Sequence, residues 1–253
     1  MAVRRRLDAE LVRRGLVASR TDAQTLIAGH RVLVSGSLVT KAARQVAPDE
    51  PVEVQGPPAR FVGRGGEKLD HALDTFGLDV ANLRVLDAGA STGGFTDCLL
   101  QRGAERVIAL DVGHGQLHER LIGRDEVTNL ERTNIRHVDT ALLGGPVDMV
   151  VADLSFISLR LVVGALARVC KPGAPMVLLV KHQFEAGRVE VSRGRGVIDD
   201  PEIWRRARHG VAGALADAGC TVMAWTDSPI RGAEGNVEFL VHATAPGPEP
   251  EVT

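Results

Sequence analysis

The stretch that most constrains the fold is Val85-Leu86-Asp87-Ala88-Gly89-Ala90-Ser91-Thr92-Gly93-Gly94-Phe95, an apolar run that breaks into a glycine-rich turn and then into helix-like periodicity. A strand, turn and helix in this order belong to a doubly wound α/β sheet, where glycines let backbone approach a ligand that a Cβ would block. A dinucleotide site would read G-x-G-x-x-G, but Ser91 holds the middle glycine position. Asp87 also places a carboxylate at the strand end. Such a group repels pyrophosphate and attracts a sulfonium, so the turn points to S-adenosylmethionine, held by Asp87, Gly89, Ser91, Thr92, Gly93, Gly94 and Phe95.

The chain after residue 64 repeats this alternation of helix and strand. A helix is expected around 68–76 and another over about 92–102, with strands at RVLDAG, RVIALDV, VDMVVADL and PMVLLVK. The last two are continuous apolar runs of the kind buried on both faces. Asp111, at the tip of the strand after the glycine turn, is placed to reach ribose hydroxyls. Lys171-Pro172-Gly173 is the turn that methyltransferases commonly carry before the following strand. TVMAWTDS and NVEFLVHAT predict an antiparallel hairpin at one edge.

Charge separates the two ends of the chain. Residues 1–44 hold nine Lys and Arg against three acids, a surplus of six, so the remaining 209 residues carry −8 of the overall −2. A basic head on an acidic body suggests a module for polyanions, although a solvated helix face would look the same. Two short helices, the second beginning near Ser19 or Thr21, and a strand, Ser-Gly turn and strand are expected there. Prolines 48, 51, 57 and 58 mark a stiff exit. Cys98, Cys170 and Cys220 are too dispersed for a zinc knuckle or disulfide framework, which suits a reducing cytoplasm. No run approaches a membrane span, and the charged N-terminus argues against a signal peptide. His114 and His118 stand four apart, but no third ligand is evident and no metal is expected.

Four charged residues close or adjoin apolar segments: Lys68 after Arg64-Gly65-Gly66-Glu67, Asp153 after VDMVVA, Lys181 after PMVLLV, and Glu238 in GNVEF. Charges there are costly unless paired, so they form either a structural ion-pair network or a functional cluster.

Two resemblances sharpen these readings. RLDAELVRRGLVASRTDAQTLIAGHRVLVSG resembles the small RNA-binding domain shared by many RNA-modifying enzymes and one small-subunit ribosomal protein. That implies an α+β module over 1–58 contacting RNA through Arg4, Arg6, Arg13, Arg14, Arg20, Arg31 and Lys41. RGGEKL, DAGASTGGFTD, LDVGHGQL, LERTNIR, VADLSFISL, LVKHQFEAG and EGNVEF are similar to the TlyA (hemolysin A) family of ribosomal RNA 2'-O-methyltransferases, over about 4–243. This resemblance implies a Rossmann-like class I methyltransferase domain over 65–245, after a linker at 59–64 and before a disordered tail at 246–253. It implies a catalytic tetrad of Lys68, Asp153, Lys181 and Glu238, with Asp153 also facing S-adenosylmethionine. It further implies cytidine ribose in small- and large-subunit rRNA, within ribosomal subunits, as the substrate. Two positions depart from the family pattern: His182 stands where Pro is usual, and Phe61 where an Arg-x-Trp-Val motif carries Trp.

A ribose hydroxyl is a poor nucleophile, so its proton must be removed or its developing charge stabilised while the reacting atoms lie in line. A free lysine is mostly protonated near neutrality. Lys181 is expected as base or hydroxyl-orienting group with Asp153 holding it, and Lys68 with Glu238 as the groups placing the ribose. A non-catalytic rRNA-binding assembly factor that keeps the cofactor pocket, or a small-molecule methyltransferase with an RNA-binding appendage, are the competing readings. The loop GRVEVSRGRGV at 187–197 could be a lid, an RNA contact or a solvated loop.

Overall fold

The computed structural model describes residues 4–17, 20–56, 59–185, 198–232 and 235–248. The candidate cap Ser19, the 187–197 loop and most of the expected tail, 249–253, lie outside these. The chain divides into two compact units, 1–60 and 61–253.

In the first unit, β1 (Arg5–Arg6) leads into α1 (Leu7–Arg13), followed by α2 (Arg20–Ala28), β2 (Val32–Val34), β3 (Ser37–Leu38), β4 (Gln45–Val46) and β5 (Val52–Val54). β2 is central in a three-stranded antiparallel sheet between β3 and β5, and β1 pairs with β4. The core is small: Leu7, Leu11, Ala23, Ile27, Val32, Val34, Val39 and Val46. Pro48 and Pro51 lie inside this unit rather than at its exit. The Pro51 carbonyl accepts the Ser35 N–H at 2.8 Å, and β5 follows it.

The second unit carries a seven-stranded sheet. Its elements are α3 (Gly65–Phe76), β6 (Arg84–Ala88), α4 (Gly94–Gln101), β7 (Arg106–Leu110), β8 (Val127–Leu130), α5 (Thr140–Leu143), β9 (Met149–Ala152), α6 (Val163–Arg168), β10 (Pro175–Val180), α7 (His182–Glu185), α8 (Pro201–Asp217), β11 (Thr221–Asp227) and β12 (Phe239–Thr244). The order across the sheet is β11-β12-β10-β9-β6-β7-β8, with β12 antiparallel to both neighbours and the remaining pairs parallel. Each central strand is buried on both faces. One core gathers Leu86, Ile108, Val150, Leu178 and Val241, and the opposite one Val85, Val107, Val151, Leu179 and Leu240.

Three sequence-based boundaries move. β8, with Thr128 and Asn129 at its centre, lacks the apolar run that marks a strand and was not expected. α3 begins at Gly65, so the Arg-Gly-Gly-Glu-Lys stretch is the first turn of the helix and not a lead-in to it. The expected linker at 59–64 is cut short because Phe61 and Val62 are buried in the second unit, Phe61 in the core cluster that also holds Leu69, Ala72 and Phe95. Asp97 accepts the Val62 N–H at 2.8 Å. At the other end, the Pro246 carbonyl accepts the Gly173 N–H at 3.0 Å, so the first residue of the expected tail belongs to the fold.

Candidate active site

The four charged residues meet because of strand parity. Side chains alternate between the two faces of a strand, and Val151, Leu179 and Leu240 share the core face that also holds Leu69 of α3 and Cys98 of α4. Asp153, Lys181 and Glu238 each lie two residues further along that alternation, and Lys68 enters from the first turn of α3. Because β12 runs antiparallel, with Val180 opposite Phe239, its start lies at the edge where the parallel strands end.

The charges alternate in space. Lys68 Nζ lies 2.5 Å from Glu238 Oε2 and 4.0 Å from Asp153 Oδ2. Lys181 Nζ lies 2.6 Å from Asp153 Oδ1 and donates to Ser155 Oγ at 2.8 Å. The cluster has an inner and an outer half. Lys68 and Glu238 are buried, whereas Lys181 and Asp153 line a cavity of about 170 Å³ together with Gly65, Gly89, Ala90, Ser91, Thr92, Gly94, Phe95 and Ser155.

Of the residues expected to hold a cofactor, Gly89, Ser91, Thr92, Gly94, Phe95 and Asp153 are in that wall, whereas Asp87, Gly93 and Asp111 are not. Asp87 is fully buried, and its Oδ2 accepts the Thr96 hydroxyl at 2.6 Å. Burial, reinforced by Asp153 and Asp111, pushes its carboxyl up to about 7 against the Thr96 hydrogen bonds. Its place in the register puts it on the core face that Val85 and Val151 share. Gly93, with φ +93°, caps α4, and a Cβ there would collide with Leu121. Asp111 acts as a brace: its Oδ2 accepts the Ser91 N–H at 2.8 Å and its Oδ1 the Gly113 N–H at 2.7 Å. Gly89, with φ +85°, passes so close to strand β9 that a Cβ would lie 2.6 Å from the Asp153 carbonyl oxygen.

Sequence reasoning missed Ser155 and Phe156. Phe156 is 93% exposed with φ +64°, and its ring centroid is 5.5 Å from that of Phe184. No periodicity marks SFIS, although a polar-aromatic run directly after Asp153 is itself a signal. His114 pairs with Glu131 instead of with His118, whose Nδ1 accepts the Arg120 N–H at 3.1 Å. No group of three or more His, Cys, Asp or Glu suited to a metal occurs among the described residues. Nor is any helix among them long and apolar enough to cross a membrane.

In the first unit the arginines are organised by two buried acids. Asp8 takes two hydrogen bonds from Arg6, both 3.0 Å, and one from Arg20 at 2.9 Å. Glu10 takes Arg13 at 2.5 and 2.7 Å and Arg14 at 2.8 Å. These bonds hold the Asp8 carboxyl well below the usual range, and Glu10 at about 2. Arg14, 19% exposed, also donates to the carbonyls of Ala47, Pro48 and Glu50. These bonds tie it into the fold of the first unit. Arg20, 57% exposed, keeps an open side. Arg31 donates to the Gln55 carbonyl at 2.7 Å. Arg4 and Lys41 are exposed.

Fold and site together define a methyltransferase, and the model for FtsJ-like methyltransferases matches residues 61–245, with that for the S4 domain matching 5–52. The 16S/23S rRNA (cytidine-2'-O)-methyltransferase TlyA of Mycobacterium tuberculosis is 46% identical over 242 residues, covering 95% of this chain and 90% of its own. Hemolysin A of Brachyspira hyodysenteriae is 38% identical, covering 94% and 98%. Among solved structures, a hemolysin-named protein of Streptococcus thermophilus superposes with a TM-score of 0.78 at 35% identity, covering 100% of this chain and 92% of its own. The chain belongs to the TlyA (hemolysin A) family of FtsJ-like methyltransferases.

Proposed function

We propose that this protein transfers a methyl group from S-adenosylmethionine to the 2'-hydroxyl of cytidine ribose in 16S and 23S ribosomal RNA. The observation that carries the reading is Lys181: its amine stands at the cavity wall beside the glycine turn, fixed by Asp153 at 2.6 Å and Ser155 at 2.8 Å.

The cavity fits the cofactor's reacting end. Its wall has backbone and hydroxyl groups from the glycine turn, and its one ammonium, Lys181, is paired with its one carboxylate, Asp153, which leaves no unpaired cation in the wall for a pyrophosphate. When bound, the cofactor supplies a methyl group on sulfonium. Gly89, Ser91, Thr92 and Gly94 would hold it, with Asp111 bracing Ser91 from behind. Lys181 orients the attacking hydroxyl or, in its neutral form, receives the proton, and Asp153 fixes its nitrogen. Lys68 and Glu238, being buried, keep Asp153 in place rather than meeting the ribose, which revises their expected role. Arg6, Arg13 and Arg20 of the first unit supply phosphate contacts to structured RNA, held ready by Asp8 and Glu10.

The test is primer-extension mapping of ribose methylation in rRNA from cells with and without the protein, and with Lys181→Ala. Loss of a positioned proton-transfer group costs about 10²–10⁴ in rate. Near-normal methylation by Lys181→Ala would reduce the cluster to a structural ion-pair network.

A further inference from the structure

Lys181 is followed by a single helical turn, α7, whose two ends reach opposite sides of the site. At its start His182 is fully buried, and its Nε2 lies 3.2 Å from Asn236 Oδ1. The same oxygen accepts the Ile198 N–H at 2.9 Å, which fixes it as the carboxamide's acceptor and makes His182 the donor. Burial lowers the histidine's proton affinity, and the proton it donates is the one on Nε2. Asn236 is itself buried, two residues before Glu238, and its carbonyl accepts the Gly232 N–H at 2.9 Å. That turn packs tightly on the acid: a Cβ on Gly232 would come within 2.6 Å of Glu238 Oε1.

At the other end of α7, Glu185 reaches the loop that follows Asp153. Its Oε2 accepts the Ser158 hydroxyl at 2.5 Å and its Oε1 the Leu159 N–H at 2.7 Å. Between the two ends, the Phe184 N–H donates to the Lys181 carbonyl at 2.9 Å, and the Phe184 ring lies beneath the Lys181 amine at 6.0 Å.

We propose that α7 is a positioning element for methyl transfer, with His182 fastening the loop that carries Glu238 and Glu185 fastening the loop that carries Asp153, so that both acids are registered against Lys181. The inference rests on the reading that Lys181 acts on the ribose hydroxyl. His182 and Glu185 touch no reacting atom. They act through Lys181 and its partners, and misplacement by about 1 Å costs on the order of 10²-fold in rate.

The experiment is single-turnover methylation of ribosomal subunits from cells lacking the protein, with S-adenosylmethionine affinity by calorimetry and thermal unfolding of every variant. Glu185→Asp keeps the charge but is too short to reach both Ser158 and Leu159. It should fold, bind S-adenosylmethionine within about twofold of the parent and methylate about ten- to a hundredfold more slowly, with the RNA concentration for half-maximal rate unchanged. Glu185→Gln retains an acceptor for Leu159 and should recover most of the rate. Asn236→Ala should repeat the Glu185→Asp pattern from the other end. A parent-like rate in folded Glu185→Asp and Asn236→Ala, with Lys181→Ala inactive, would overturn the positioning role alone. Activity in Lys181→Ala would overturn the reading beneath it.

Discussion

Val180 and Phe239 face each other across the antiparallel pair of β10 and β12, so the next residue of one strand and the preceding residue of the other, Lys181 and Glu238, flank a single point on the sheet edge. Every charged group of the site is held relative to that point. The buried half of the cluster should therefore govern stability and the exposed half chemistry.

Removing one partner of a buried ion pair leaves the other uncompensated, at about 3–5 kcal/mol. Lys68→Met should lose stability of that order in urea denaturation. Lys68→Met combined with Glu238→Leu should regain much of it while methylation stays low, because Asp153 has lost its inner support. A double variant no more stable than Lys68→Met would show that the pair is not energetically coupled.

Asp87 gives a pH signature. Its carboxyl is raised from 3.8 to about 7 in the folded protein, so the folded state binds the proton more tightly than the unfolded one. The resulting stabilisation is complete below about pH 4 and is lost as pH climbs through about 7. Asp87→Asn keeps an acceptor for the Thr96 hydroxyl and should lose less thermal stability than the parent between pH 5 and pH 8. Parallel curves for the two proteins would contradict the assignment.

Asp111 braces two backbone N–H groups, and hydrogen bonds to a charged acceptor contribute about 1.5–3 kcal/mol. Asp111→Ala should weaken S-adenosylmethionine binding by about tenfold or more in calorimetry, each tenfold corresponding to about 1.4 kcal/mol. Unchanged affinity would remove the brace from cofactor binding.

Phe156 is held in a left-handed conformation that costs a non-glycine residue about 1–3 kcal/mol, with its ring in solvent next to Phe184. Phe156→Gly should raise the melting temperature yet impair methylation of RNA, since stacking on a base contributes about 1–3 kcal/mol. A variant both more stable and fully active would leave the aromatic without a role.

Arg14 and Arg20 should separate cleanly. Arg14→Ala should destabilise the first unit, because three carbonyls lose their donor. Arg20→Ala should leave folding intact and lower rRNA affinity, with the slope of log affinity against log salt reduced by about one phosphate contact. The same salt slope in parent and Arg20→Ala would place the RNA footprint elsewhere.

Much of this was legible in the sequence where one rule dominated. Apolar runs gave the central strands, and Asp153, Lys181 and Glu238 stood out because charge at the end of an apolar strand is costly. β8 was illegible because Thr128 and Asn129 carry no pattern at a sheet edge. Asp87 was half legible: residue type gave the acid, but its complete burial comes from packing that no local pattern records. The arginines were legible only as a count, which cannot tell Arg14, donating to three carbonyls, from the more exposed Arg20.

The position of β12 in the sheet has a consequence for how the protein is made. β11 is synthesised before β12 and, among the described residues, pairs with β12 alone, which lies between it and β10. A growing chain can thus close its glycine turn and bring Lys181 to Asp153 while one edge of the sheet is still open. The last strand must slot into that gap to deliver Glu238. Interruption of translation between residues 185 and 238 would leave a protein with a cofactor turn, a buried Lys68 that has lost its nearer partner Glu238 and an exposed β10 edge, a species suited to aggregation and clearance rather than to partial activity.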